Sequence, residues 1–409
     1  MTADGGLRTI SAVRRYDAVI VGAGPAGSVS AYRLASAGAR VLMLDRAAFP
    51  RDKPCGGGLT GRALRELPID VGPVIEKEVD RFEFRLRYGP AYARTASGPL
   101  IAMTRRARLD HHLAERAAAA GAEFHDSVRV TDVTELEDGY VVRAGSARFA
   151  ASTMVGADGV NGVCARALGL GSRPTYGVAL EGDVVSTAAE DRRYAATAVF
   201  ELGTVPGGYG WAFPKEGRIN LGVGGWQREG PSLRGHLEKL CAAHGIDPAR
   251  LEGVVGYRLP LRKPDAALAR RRALLVGDAA GLVDPISGDG MFECFVSARV
   301  ASDAVVDLLS GAESSVEPYA KRLERRLCRL TSASWSAKIA FDRFPWLSFQ
   351  LTRPGFVWPI VEALIRGEID HPGSSRGLGR TALKLLDAGS RRLTGGQRIW
   401  HEPGPSALG

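Results

Sequence analysis

Three clusters of residues in this chain have types and spacing suited to chemistry. The first is Gly22-Ala23-Gly24-Pro25-Ala26-Gly27, which follows the apolar run YDAVIV. Gly22 permits a tight turn, Gly24 lets a pyrophosphate approach the backbone, and Gly27 allows close helix–strand packing. A helix opening there presents free N–H groups and the positive end of its dipole to phosphates. Asp45, at the end of the second apolar run, is placed to bind ribose hydroxyls. The pattern predicts a dinucleotide site.

The second cluster is Gly156-Ala157-Asp158-Gly159 and the third is Gly277-Asp278-Ala279-Ala280-Gly281, continuing to Asp284-Pro285-Ile286-Ser287-Gly288-Asp289-Gly290-Met291. Asp158 alone reads equally as a turn residue. Asp278 suits either a polyol chain or a helix N-cap. The helix after Gly290 would point its N-terminus at the electron-accepting edge of a flavin and stabilise negative charge there. Two further features stand apart. Cys55 lies between Lys53 and three glycines, whose lack of bulk would let the loop approach a flat ring; a lone Cys is otherwise a small buried hydrophobe. Tyr209, Trp211 and Phe213 alternate, so on a strand they share one face, either as a core ladder or as the wall of an apolar pocket.

These residues need elements to hold them. The spacing predicts a βαβ unit from strands at 16–21 and 40–44 around a helix at 25–37. A second helix spans 106–120, with short strands between 122 and 155. Alternating segments from 172 to 262 predict antiparallel strands. The run ALLVG at 273–277 and a helix at 291–309 repeat the strand–loop–helix logic of the start. From 316 the chain reads as helical, with Leu323, Leu327 and Leu330 as a buried stripe, and the tail beyond about 395 is expected to fray.

Of 409 residues, 45% are apolar and 24% charged, which excludes disorder, collagen and coiled coil. No apolar run is long enough to cross a membrane. Net charge is +9, and 46 of the 54 basic residues are Arg. No nucleic-acid motif accompanies this charge, so no nucleic-acid partner is expected. Five scattered cysteines without a C-x-x-C pair read as reduced thiols in a cytoplasmic protein. The lead-in MTADGGLRTISAVRR has no apolar signal core. The seven histidines have no ligand spacing, and no metal is expected.

The three clusters together resemble FAD-dependent enzymes of the para-hydroxybenzoate hydroxylase-like group. Lys53-Pro54-Cys55-Gly56-Gly57-Gly58-Leu59-Thr60, Gly208-Tyr209-Gly210-Trp211-Ala212-Phe213-Pro214 and Arg106 with Leu109-Asp110 narrow the resemblance to the geranylgeranyl reductase family. The family's Asp-Gly segment usually continues N-S-x-x-R; here it reads Asn161-Gly162-Val163-Cys164-Ala165, with Arg166 one place late. Gly281 stands where hydroxylating relatives carry His, and the halogenase W-x-W-x-I-P pattern is absent. There is no second G-x-G-x-x-G unit, so no separate NAD(P) domain is expected.

The resemblance implies an α/β fold: a Rossmann-type FAD-binding domain, an antiparallel-sheet substrate domain and a C-terminal helical region. The FAD domain is expected in three parts (1–80, 104–172 and 266–315), the substrate domain in two (81–103 and 173–265), and the helical region over 316–409. FAD binding is expected from Gly22, Gly24, Pro25, Ala26 and Gly27, from Asp45 and Arg46, and from Cys55, Gly56, Arg106 and Asp158. The third cluster adds Gly277, Asp278, Pro285, Gly288, Asp289, Gly290 and Met291.

The family places the Cys55 loop over the isoalloxazine ring, which makes Cys55 the expected proton-delivery position. Tyr209 and Trp211 are expected to take part in catalysis and, with Phe213 and Pro214, to line a polyprenyl pocket. The implied reaction reduces carbon–carbon double bonds in a geranylgeranyl-type chain on a diphosphate, a lipid or menaquinone, with electrons from NADPH or a protein donor. A flavin monooxygenase or dehydrogenase acting on another apolar substrate, or a non-catalytic prenyl carrier, are the alternative readings. Residues 311–409 carry fifteen Lys and Arg against nine Asp and Glu, together with Trp335, Trp346, Trp358 and Trp400. That pairing suits contact with the inner face of the cytoplasmic membrane without crossing it, or an ordinary helical cap. The oligomeric state is left open, a monomer being compatible.

Overall fold

The structure, a computed structural model, describes residues 15–171, 175–264, 266–369 and 400–402. The lead-in before residue 15, most of the tail after 395 and the expected junctions at 172–173 and 265 lie outside the described residues.

Strand β1 (Arg15–Val21) is buried on both faces, with Ala18, Val19 and Ile20 fully enclosed. That is why it reads as a continuous apolar run. It leads through Gly22 into helix α1 (Pro25–Ser36), whose Pro25 sits in the first turn, where its missing N–H is not needed. The chain returns through β2 (Val41–Leu44). Helix α2 (Arg106–Ala119) precedes Glu123–His125, and β3 (Ala147–Gly156) lies beside β1. The parallel order is Glu123–His125, β2, β1, β3, Ala273–Leu275. Neighbouring strands leave β1 in opposite directions, so a crevice opens beyond the C-terminal ends of β1 and β3. Helix α3 (Met291–Leu309) follows the fifth strand.

The second sheet has seven strands: Glu252–Leu261, β4 (Thr175–Val185), β6 (Arg218–Trp226), β5 (Tyr209–Lys215), Thr197–Leu202, Arg81–Leu86 and Ala91–Thr95. Every neighbour is antiparallel except Thr197–Leu202 with Arg81–Leu86. That pair is parallel because its two strands are joined by a long crossover through the first sheet. The segment 172–262 also holds two helices that the strand reading passes over, Ala188–Tyr194 and Leu233–Ala243. Leu233, Leu237, Leu240 and Cys241 form the buried face of the second and cover one side of the sheet. The other side faces the crevice of the first sheet.

Helices α4 (Pro318–Arg343), α5 (Pro345–Thr352) and α6 (Trp358–Arg366) close the C-terminal side. Leu323, Leu327 and Leu330 are buried, as their spacing predicts. The tryptophans divide. Trp335 is buried, stacks on Trp226 and touches Trp400, and the Trp400 carbonyl accepts a hydrogen bond from Thr175 Oγ1. These two pack against each other rather than offer a surface. Trp358 packs against Phe82, and Trp346 alone of the four is largely exposed. Among the described residues no helix is long and apolar enough to cross a membrane.

Candidate active site

One cavity of about 1370 Å³ runs from the β1–α1 turn to the C-terminal helices. At its first end Gly22 adopts φ +105°, and a Cβ there would stand 2.3 Å from the Ala157 carbonyl oxygen. Gly27 has the same kind of reason: a Cβ would lie 1.9 Å from the Gly22 carbonyl oxygen, so this residue packs the helix on its own turn and does not line the cavity. Gly24 differs. A Cβ there meets only Arg51 Nη2, at 3.5 Å, and the space beyond is cavity. Asp45 accepts the N–H groups of Ala23 at 2.7 Å and Ala47 at 2.9 Å, which clamps the turn to the end of β2. Pro25, Ala26 and the exposed Arg46 also line this end.

Basic charge gathers beside the helix N-terminus. Arg106 holds Asp110 in a buried two-pronged pair, at 2.7 and 2.8 Å, and Arg51 reaches the same carboxylate at 3.0 Å. Two guanidinium groups share one carboxylate, leaving a net positive charge facing Gly24.

Asp158 caps the short helix Cys164–Leu168, accepting the N–H groups of Val163 and Cys164. A Cβ on Gly162 would stand 2.0 Å from the Asp158 carboxyl carbon, which accounts for glycine where the family carries Ser. The other Asp158 oxygen is buried without a partner at the cavity wall.

The third cluster closes the middle of the cavity. Asp278 does not cap a helix. Its carboxylate pairs with Lys53 Nζ at 3.1 Å and accepts the Tyr257 hydroxyl at 3.2 Å. Burial pushes this carboxyl up, but Lys53 outweighs it and holds the group below its ordinary range. Gly277, at φ +56°, is buried against Ala26 and Cys294 and does not line the cavity. A Cβ on Gly290 would lie 3.2 Å from Asp278 Oδ1, so the start of α3 abuts that carboxylate. Pro285, Gly288, Asp289 and Met291 line the same stretch. Asp289 accepts the Met291 N–H at 2.8 Å, and its second oxygen is buried and unpartnered.

The Cys55 loop lies on β5. A Cβ on Gly56 would meet Phe213 at 2.9 Å, and one on Gly57 would meet the Thr104 carbonyl oxygen at 2.1 Å and Lys215 at 3.3 Å. Gly56 therefore serves close approach to the second sheet and Gly57 close approach to the Thr104 backbone, not only to a flat ring. Cys55 is half-buried, with its sulfur 3.4 Å from the Gly57 N–H. Burial pushes the thiol up, Arg106 opposes, and Glu181 adds to the rise.

Tyr209, Trp211 and Phe213 share the cavity face of β5, joined by Phe200 at 5.9 Å from Tyr209 and 5.3 Å from Phe213. Phe82, Phe84, Tyr92 and Trp358 continue this wall toward Leu351, Val361 and Leu364 of α5 and α6. Pro214 belongs to the opposite face by the same alternation and is buried away from the cavity. The Tyr209 hydroxyl donates to the Ser287 carbonyl, and Trp211 Nε1 donates to Asn220 Oδ1 at 2.7 Å. Burial pushes the Tyr209 phenol well up. With both donors engaged, these side chains build the wall and hold its loops.

Sequence reasoning missed Glu181, Lys215, Arg51, Tyr257 and the Phe82–Phe84–Tyr92 wall. Glu181 continues the row Gly177, Ala179 on the face of β4 that the structure turns to the cavity. The others come from strands and loops that no local pattern joins to the site.

These features fit FAD. The cradle has room at Gly24, a positive helix end with Arg51, two unpartnered carboxylate oxygens, and a volume beyond the ~300–1,000 Å³ of an ordinary ligand pocket. The comparisons agree. The family described as "FAD binding domain" matches residues 15–202. The menaquinone reductase of Mycolicibacterium smegmatis is 33% identical over 71% of this chain and 76% of its own length. Digeranylgeranylglycerophospholipid reductase 1 of Methanopyrus kandleri is 33% identical over 76% of this chain and 85% of its own. A crystal structure of a geranylgeranyl bacteriochlorophyll reductase-like protein from Thermoplasma acidophilum, 23% identical, shares the fold with a TM-score of 0.74 over 92% of this chain and 97% of that one.

Proposed function

The chain belongs to the geranylgeranyl reductase family of FAD-dependent oxidoreductases, and we propose that it saturates carbon–carbon double bonds of a polyprenyl chain. The observation that carries this reading is the continuity of the cavity: an FAD cradle opens into a chamber walled by Phe82, Phe84, Phe200, Trp211 and Phe213. A linear hydrocarbon with no polar groups needs such a wall. Phe84 stacks on Phe200 at 5.5 Å and on Tyr92 at 5.2 Å, so the rings form one surface.

Gly24, Arg51 and the start of α1 would hold the pyrophosphate, Asp45 the ribose, and Asp278, Asp289 and the start of α3 the remainder. When bound, reduced FAD supplies a hydride. The protein must then supply a proton and tolerate positive charge at the tertiary carbon. The Cys55 thiol, kept protonated by burial, lines the same cavity as the cradle and the aromatic wall. The faces of Trp211 and Phe213 support a carbocation-like centre beside it. Reductant reaches the cofactor from NADPH or a protein donor.

The cavity reaches α5 and α6. Phe344, Trp346, Leu347 and Phe356 lie exposed around these helices, while Leu351 and Thr352 of α5 line the cavity. This arrangement supports entry of the chain from a membrane surface. The test is anaerobic incubation of the chemically reduced protein with a geranylgeranyl lipid, its diphosphate and menaquinone. A gain of two hydrogens per reduced unit, with flavin reoxidation, is expected from at least one. Oxygen consumption coupled to a substrate, without saturation, would favour the monooxygenase reading instead.

A further inference from the structure

Beneath the Cys55 loop lies a carboxyl group to which the reaction above assigns no task. Glu181 is buried on β4 and lines the cavity. Its Oε1 accepts the backbone N–H of Cys55 at 2.5 Å, so carboxyl and thiol flank one peptide unit. Its β6 partner is Gly222, and the Trp211 ring lies across that glycine: a Cβ there would stand 2.1 Å from Trp211 Cζ2. Glu181 is thus roofed by the Cys55 loop and flanked by the aromatic wall.

The polar and charged neighbours come from four elements. Lys215 on β5 is buried and reaches Asp183 Oδ1 at 3.4 Å. Asn220 on β6 donates to the same Asp183 oxygen at 2.9 Å. Arg106 of α2 faces Cys55 but is bound to Asp110. Asp183 on β4 itself adds negative charge. Burial pushes the Glu181 carboxyl up to about 7, with Lys215 and the Cys55 N–H opposing. A group half-protonated at neutral pH both gives and regains a proton readily. A polyprenyl chain filling the chamber would shield the thiol from water until product leaves, so its proton must come from a group already beside it.

We infer that Glu181 is the proton reservoir for the double-bond reduction proposed above, resupplying Cys55 on each turnover. The inference rests on that reading. In balanced form, the alkene gains a hydride at one carbon from the reduced cofactor, which is thereby oxidised by two electrons. The Cys55 S–H bond breaks as a C–H bond forms at the other carbon. The thiolate then takes the Glu181 proton, directly or through one water. The carboxylate left behind is held by the Cys55 N–H and Lys215 until solvent reprotonates it.

The test uses the purified full chain and the variants Glu181→Gln and Glu181→Asp, with flavin content as the control for folding. The first readout needs no turnover: the pH profile of Cys55 alkylation by iodoacetamide, followed on the Cys55 peptide by mass spectrometry. A charged Glu181 disfavours the thiolate. Glu181→Gln should therefore alkylate several-fold faster at pH 8 and lose an inflection near pH 7 that the wild type and Glu181→Asp show. The second is repeated turnover with a geranylgeranyl substrate under reductant. Glu181→Gln should turn over about 100-fold more slowly with KM unchanged, Glu181→Asp should recover much of the rate, and a first turnover limited to the proton already on Cys55 should be spared. Identical alkylation profiles, or wild-type turnover in Glu181→Gln, overturn the reservoir while leaving the reductase reading intact. Failure of the wild type to saturate any polyprenyl substrate overturns that reading and the reservoir with it.

Discussion

The ammonium group of Lys53 lies 3.1 Å from Oδ2 of Asp278, joining two loops 225 residues apart in the chain. The same ammonium sits 4.6 Å above the Tyr257 ring, and the Tyr257 hydroxyl donates to the same carboxylate. Burial alone would pull Lys53 down; Asp278 more than offsets it and keeps the lysine charged. This pair fastens the Cys55 loop to the third cluster. Lys53→Met would leave a carboxylate in the cavity wall without its cation. Because both groups keep some solvent contact, the expected loss is about 2 kcal/mol, below the ~3–5 of a fully buried pair. Urea denaturation of Lys53→Met against Lys53→Met/Asp278→Asn checks it: the double variant should recover part of the loss.

The glycines of the first turn should separate by role. Gly24→Val meets only Arg51 within the protein, so it should cost about 1 kcal/mol in stability yet lose the flavin. Gly22→Ala and Gly27→Ala collide with backbone and should cost about 3 kcal/mol or more. Thermal unfolding beside flavin absorbance distinguishes them; full flavin occupancy in Gly24→Val would sink the assignment of the cradle.

Cys55→Ala should keep its flavin and lose the chemistry. The sulfur accepts one long contact from Gly57. Dithionite should reduce the bound flavin at the wild-type rate. Reoxidation by a geranylgeranyl substrate should slow by roughly two to four orders of magnitude. Wild-type saturation by the variant would remove Cys55 from the mechanism.

Stability should fall as pH rises across the neutral range. Glu181 and Glu293 both bind their protons more tightly when folded, with burial raising each to about 7 from an ordinary 4.5. Their contribution is full below about pH 4.5 and is lost as pH climbs through 7. Each carboxyl is worth at most about 3 kcal/mol over that window. Glu181→Gln should flatten the profile by its share in denaturation midpoints measured from pH 5 to 8. A profile unchanged by the substitution would refute the assignment.

Trp346→Ala combined with Phe356→Ser removes two exposed apolar side chains around the helices that the cavity reaches. If the patch meets a membrane, vesicle sedimentation should fall by roughly tenfold or more, at about 1–2 kcal/mol per side chain. Activity on a detergent-dispersed substrate should be kept. Equal binding by the variant and the parent would count against membrane entry at this face.

Much of the molecule is legible along the chain. The cofactor turn is local: glycine spacing, a strand before and a helix after lie within one βαβ unit, so Gly22, Gly24 and Asp45 declare themselves by type and interval. The aromatic wall was half legible, because strand alternation puts Tyr209, Trp211 and Phe213 together and, by the same rule, turns Pro214 away. The helices within 172–262 were hidden among stronger strand signals. The roles of Glu181, Lys53 and Arg51 depend on partners tens to hundreds of residues distant. A carboxyl on β4 looks like any surface acid until the Cys55 loop covers it and Lys215 faces it. Gly56 and Gly57 look like a flexible loop until β5 and the Thr104 backbone press against them. Local spacing determines elements and backbone-level ligand sites, because those rest on dihedrals and hydrogen bonds between near neighbours. Burial, proton affinity and the commitment of a side-chain donor rest on what packs over a residue from elsewhere, and that is decided only when the sheets close on each other.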